Sequence, residues 1–287
     1  KYSRHPEYPF FGSLSWAFFW KFFHLDKEYI GRFFYLLLFV ISIFNFADIF
    51  KISILKKFLV SLILILLIYD YWHFRGYQEI IIFSLLLIIS KYLYFIIAEK
   101  KTEIKYLSII LISSNLVIWT KNEGIFFILF TYLLLTIFSV FNIKIKILNL
   151  ILILFLITFR FFIYKTYNLE VGLQDNYDFV NLFSIFMKNL SLTNILLIFT
   201  NIIFTIIKFP IILICLLFSL LIIFSKLDHK KIMFVYIHLL INLSFIFAVY
   251  LSTSTDVEWM IITGLNRVLF ESSSLYLLFP LFYLKNK

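Results

Sequence analysis

Glu79-Ile80-Ile81-Ile82-Phe83-Ser84-Leu85-Leu86-Leu87-Ile88-Ile89-Ser90-Lys91-Tyr92-Leu93-Tyr94-Phe95-Ile96-Ile97-Ala98 is followed at once by Glu99-Lys100-Lys101-Thr102-Glu103-Ile104-Lys105. As a helix, such a run is about 30 Å long, matching the ~30 Å hydrocarbon core of a bilayer. The charge-dense segment after it reads as a loop that returns to water. Other runs repeat the pattern on both sides. Upstream, spans are expected over about 33–50 and 58–69, the second short and completed by flanking aromatics. Downstream, one reaches Trp119 and others cover about 125–141 and 147–164. In all, 63% of the 287 residues are hydrophobic, 22% aromatic and only 15% charged. A single soluble core could not hide that much apolar surface, whereas lipid is its natural solvent. The fold class predicted is an all-α polytopic membrane protein forming one domain over 1–287, with a bundle of about 8–9 transmembrane helices.

The formal charge of +10 comes mostly from lysines in short loops. In a membrane chain, lysines hold loops on the cytoplasmic side and against anionic headgroups, so no nucleic-acid partner is expected. Loops 51–57, 99–105, 142–146 and 226–231 read as cytoplasmic. Loops 1–32, 70–79, 120–124, 165–190 and 252–271 carry acids, Trp or isolated cations, and read as the opposite face. Residues 1–32 hold Pro6, Pro9 and Gly12 and then the aromatic stretch Trp16–Phe23, which suits a helix lying at the interface. The apolar run 192–225 is broken by Lys208-Phe209-Pro210. It reads either as two spans or as one full crossing plus an interfacial or re-entrant piece, and the charge of 226–231 favours the second. The last run, 275–283, is too short for a normal span. The chain opens as if inside a loop, so it is expected to be a fragment lacking an N-terminal span and incomplete at its C-terminus as well. Cys215 stands alone in an apolar run and offers neither a disulfide nor a metal cluster.

Polar clusters recur on the non-cytoplasmic face: His5-Pro6-Glu7-Tyr8-Pro9, Arg75-Gly76-Tyr77-Gln78-Glu79, Lys121-Asn122-Glu123-Gly124, and Asp256-Val257-Glu258-Trp259 with Asn266-Arg267. Each taken singly reads as a solvated cap or a snorkelling side chain. Their recurrence on one face, with carboxylates and cations mixed, points to a site.

The same segments carry a resemblance. HPEYPFFGSLSWAFFW (5–20) is similar to the stretch ending the first external loop of bacterial GT-C glycosyltransferases. That superfamily includes protein O-mannosyltransferases and lipid A aminoarabinose transferases. RGYQEI (75–80), WTKNEG (119–124) and DVEWMIITGLNRVLF (256–270) resemble later elements of those enzymes, in the same order. Phe10 stands where a proline is usual and Ile261 where His is frequent. The family's acid upstream of the His-Pro-Glu-Tyr-Pro element would lie before Lys1. The resemblance implies a GT-C-like bundle with interfacial helices in the first external loop, embedded in a bacterial inner membrane with its active site on the periplasmic or extracellular face. It implies transfer of a sugar, with inversion, from a polyprenyl-phosphate donor to a glycan, lipid or protein acceptor.

That chemistry needs a carboxylate to take the acceptor's proton and a cation to hold the departing lipid phosphate. The unseen upstream acid is the first candidate base. Glu79 is the visible catalytic carboxylate, able to orient the acceptor or hold a divalent cation. Its plainer reading is a helix-start acid favoured by the dipole. Arg267 is the first choice for the phosphate because its planar fork donates paired hydrogen bonds. Its plainer reading is a salt bridge to Glu271 at i+4. Lys121 is the second choice, though a local bridge to Glu123 competes. Arg75, His5, Glu7, Glu123, Asp256 and Glu258 complete the substrate-binding candidates. Trp72, Tyr77 and Trp119 could stack on sugar faces or simply sit in an aromatic belt. A divalent cation is compatible with the reaction, but no ligand spacing specifies one. The competing functional class, a non-enzymatic transporter or flippase of lipid-linked sugars, should carry charges at midplane depth. Charges inside these spans are few, with Arg160 and Lys208 the main exceptions.

Overall fold

The computed structural model of the chain describes residues 11–23, 33–50, 53–68, 78–167, 177–178, 180–225 and 227–286. Among these, all regular structure is helical. Helix α1 covers Phe11–Phe22, α2 Phe33–Ala47, α3 Ile54–Ile68, α4 Glu79–Ile97 and α5 Ile104–Ile118. Then come α6 (Gly124–Phe138), α7 (Ile143–Thr166), α8 (Leu182–Asn189), α9 (Leu192–Lys208), α10 (Pro210–Ile223) and α11 (Met233–Leu251). The chain ends in α12 (Val257–Met260), a π turn over Ile261–Leu265, α13 (Asn266–Tyr276) and α14 (Leu278–Asn286).

Three helices, α4, α7 and α11, are long and apolar enough to cross a membrane, and a fourth is reached if α8 and α9, bent by 84°, form one span. The count of about 8–9 is not met by helix length alone, because α2, α5, α6 and α10 are apolar but shorter. A helix of 15 residues spans only about 22 Å, so it needs flanking residues to reach both interfaces.

Helix α4 is the axis of the bundle. Nearly every side chain along it is buried, and α2, α5 and α13 pack around it. A helix apolar on all sides is what a central position demands. Helix α7 is the opposite case. Only Ile153, Ile157, Arg160 and Tyr164 are buried, one stripe at helical spacing. Most of its other Leu, Ile and Phe side chains face outward, as a lipid-contacting helix requires.

The C-terminal run corrects a sequence expectation. It does not begin near Leu275. Arg267 pairs with Glu79, Phe270 stacks on Phe83 with centroids 4.8 Å apart, and Lys285 pairs with Glu99. The near-constant offset between partners means that α13 and α14 run parallel to α4 along its whole length. The polar residues that seemed to end the segment are buried inside it. Ser272, Ser273 and Ser274 return their hydroxyls to carbonyls of their own helix. Their small side chains allow close packing where lipid gives helices no hydrophobic drive to associate. Pro280 accounts for the turn at Leu277, since its ring clashes with the carbonyl of Tyr276 four residues back.

The broken run around Pro210 resolves into a helix held at one end of the bundle and a helix that leaves it. Asn189, just before α9, donates to the carbonyls of Leu251 and Thr253 at 3.1 and 3.0 Å. Near the other end of α9, Thr205 donates to Asn266 Oδ1 at 2.6 Å. Both anchors lie in the stretch that turns from α11 into α13. From the extended Phe209, α10 then runs along α14 toward the opposite end of the bundle, where Phe218 packs on Tyr283. Tyr236, at the start of α11, donates to the carbonyl of Ser219 at 2.6 Å. Pro at the first position of α10 suits a helix start and stops α9 behind it. Both ends of α9 thus meet the connection between α11 and α13, while α10 extends to the end of the bundle where α11 begins.

Candidate active site at one end of the bundle

The turn between α5 and α6 is built for close approach. A Cβ on Gly124 would stand 2.6 Å from the carbonyl oxygen of Val117, a backbone atom that cannot yield. Gly124 therefore lets α6 back against the last turn of α5. Arg160 reaches in from α7 and donates to the carbonyl of Ile118 at 2.8 Å and to Asn122 Oδ1. It thereby satisfies a carbonyl that the end of α5 leaves open. The guanidinium is fully buried and lies over the Tyr164 ring at 5.2 Å. Sequence reading took Arg160 for an exception inside a span; it is the strut of this turn. On the other side, the backbone N–H of Phe11 donates to the carbonyl of Trp119 at 3.1 Å. Gly12 lies so near Gln78 that an added Cβ would come within 2.9 Å of its side chain. The expected interfacial helix, α1, thus sits over the start of α4 and the α5–α6 turn together.

Into this frame the turn extends Lys121. Its ammonium lies 3.2 Å from Glu79 Oε1, 3.3 Å from Glu271 Oε1 and 3.6 Å from Glu123 Oε1. Arg267 Nε lies 3.6 Å from the same oxygen of Glu79. The side chains of Glu79, Lys121 and Glu271 are 3%, 7% and 0% exposed, whereas Glu123 and Arg267 are 33% and 31% exposed. A buried ammonium thus sits among three acids, with a guanidinium at the lip. Removing one partner from such a buried set typically costs about 3–5 kcal/mol, because the remaining charge is stranded.

The structure brings together Glu79, Lys121, Glu123 and Arg267 from segments far apart in sequence. It changes their roles. Arg267 pairs with Glu79 on another helix. Lys121 lies near three carboxylates and is 7% exposed, whereas the Arg267 side chain is 31% exposed. Glu271 is the residue that sequence reading missed as a member of the site. Its one signal was the i+4 spacing from Arg267, which suggested a surface pair and gave no hint of a contact 150 residues away.

Asp256 and Glu258 do not join the cluster. Both are exposed, and Asp256 accepts from the backbone N–H of Glu258 at 3.1 Å as the cap of α12. Short acids at helix starts take this role readily. His5, Glu7, Arg75, Trp72 and Tyr77 lie outside the described residues. Lys208 is exposed at the end of α9. Among the described residues no group of three His, Cys, Asp or Glu is arranged to hold a metal ion. A shallow crevice lined by Tyr132, Thr136, Lys146 and Asn149 lies at the far end of α6, about 20 Å away by helix length, and plays no part in this site.

Fold and site together define an all-helical, membrane-embedded protein with a buried charge cluster at one end of its bundle. No protein-family model, characterised protein or solved structure matches the chain at a significant level. The resemblance to a family therefore rests on the motifs quoted above.

Proposed function

We propose that the chain is a membrane glycosyltransferase of the GT-C type that moves a sugar from a polyprenyl-phosphate-linked donor to an extracytoplasmic glycan, lipid or protein acceptor. On this reading the bundle has about 8–9 crossings, sits in a bacterial inner membrane, and carries its site on the periplasmic or extracellular face. The observation that carries the reading is the meeting of Glu79, Lys121 and Arg267 at one end of the bundle, since each comes from a different motif of the family resemblance. Glu79 is a carboxylate beside the lip, suited to orient or deprotonate an acceptor hydroxyl. Both cations meet its Oε1, so neither of these ion pairs uses Oε2. Arg267, partly exposed, offers its fork to the phosphate whose charge grows as the glycosidic bond breaks.

The test is sugar transfer by the full-length protein. Glu79→Gln and Arg267→Ala should each lower transfer at least a hundredfold while membrane insertion is unchanged. Wild-type transfer in both variants would remove this assignment.

A further inference from the structure

Glu271 poses a physical problem that the proposed reaction does not answer. Its side chain is wholly buried, and its second oxygen, Oε2, has no hydrogen-bond partner among the described residues. A leucine or methionine would suit this position better if packing were its only purpose, because Leu269, Phe270 and Leu275 around it are buried apolar groups. Neutralising Lys121 does not need it either, since Glu79 and Glu123 already lie within 3.2 and 3.6 Å of the ammonium. What Glu271 adds is position. It stands at 3.3 Å from Lys121, almost the same distance as Glu79. The ammonium is therefore shared between an acid on α4 and an acid on α13, deep in the cluster, while Arg267 is held one turn earlier on α13 and is 31% exposed.

We infer that Glu271 is the internal counter-anion of Lys121, a positioning residue that retains the ammonium inside the cluster and so sets the charge that the site presents to an anionic lipid head. The inference rests on the proposed function, in which that head is a polyprenyl phosphate. With Glu271 in place, Arg267 faces the ligand and Lys121 supports Glu79. Without its charge, one constraint on Lys121 is lost and the mouth of the site becomes more positive. Removing an acid would then strengthen anion binding and harm turnover, because Lys121 would no longer be divided between its two acids. A residue that served only to hold the fold would weaken both.

The experiment is equilibrium binding of radiolabelled undecaprenyl monophosphate to the purified full-length protein in phosphatidylcholine nanodiscs. Arg267→Ala should weaken binding at least tenfold. Glu271→Gln, nearly the same shape without the charge, should tighten it by about three- to tenfold, and Glu271→Asp, which draws the charge back from Lys121, should tighten it by a smaller factor. Binding by Glu271→Gln equal to or weaker than wild type overturns the inference. If Glu271→Gln cannot be purified folded, Glu271→Asp decides in the same way: tighter binding supports the counter-anion role and unchanged or weaker binding refutes it. Arg267→Ala separates the two levels. If it binds like wild type, the phosphate site itself is wrong. If it loses binding while the Glu271 variants gain none, only the role of Glu271 fails.

Discussion

The two ends of α4 are both charged, yet they are built differently. At the Glu79 end, side chains from α4, the α5–α6 turn and α13 converge on one buried lysine. At the Glu99 end the ions form pairs or short chains near the surface. Lys285 meets Glu99 with both side chains partly exposed, and Lys57 meets Asp48, which is 44% exposed. Pairs of this second kind contribute little, because water solvates their ions well before they meet. Lys91 belongs to the same end but lies deeper, with Asn45 Oδ1 at 2.5 Å and Asp48 Oδ2 at 3.3 Å. It ties α2 to α4. The contrast separates charges that fasten helix ends from charges gathered at a cost that fastening alone does not repay. Among the described residues, the Glu79 end is where three acids gather round one buried lysine.

That contrast can be broken or sharpened by substitution. Outside the buried charge cluster, the largest stability effect is expected at Arg160. In Arg160→Gln the carbonyl of Ile118 and the amide of Asn122 lose their charged donor, a loss of about 2–3 kcal/mol that thermal unfolding in detergent would register. Transfer activity should fall with it, since the same turn carries Lys121. Stability equal to wild type would mean that the turn stands without this strut. Gly124→Ala comes next. Its methyl must displace the Val117 carbonyl, and about 1–3 kcal/mol of destabilisation is expected from the strain. The smallest effect is expected at the other end, where Lys285→Ala should cost no more than about 1 kcal/mol.

The pH dependence of the Lys285 effect has a definite sign. Burial raises the Glu99 carboxyl, but hydrogen bonds and charge from Lys285 and Lys101 outweigh it and leave its pKa below the usual value. A depressed carboxyl stabilises the fold above its ordinary pKa and loses that contribution as pH falls through the folded value. The stability gap between Lys285→Ala and wild type should therefore be constant from neutral pH to about 5 and close below about pH 4. A gap that widened on acidification would show that the pair is not what joins α14 to α4.

Much of this architecture was legible in the sequence, for physical reasons. Apolar length and charged punctuation located the starts of α4 and α7 to within a few residues, because lipid permits few polar interruptions. The mixed charges of the 75–79, 121–124 and 267 segments marked three of the four parts of the site. Other features were illegible because they depend on partners remote in the chain. The final run reads as starting near Leu275, whereas the serines just before it are buried in α13, which packs against α4. Glu271 looked like a partner for Arg267 on its own helix, whereas it reaches a lysine on another segment. Lys91 passed as part of an apolar run because Asn45 and Asp48, which make its burial tolerable, sit on and just after a different helix. Asp256 and Glu258 drew attention as acids near a motif, yet acids at a helix start often do no more than cap it.

The central claim is that the tip of the α5–α6 turn and the segment leading into α13 share one face of the membrane, opposite the lysine-rich loops. Labelling with a membrane-impermeant maleimide, in a Cys215→Ser background, tests it directly. Glu123→Cys and Glu258→Cys should react from the same side of intact membranes, and Lys105→Cys and Lys231→Cys only from the other. Labelling of positions 123 and 258 from opposite sides would contradict the account, because the two halves of the site could not then meet.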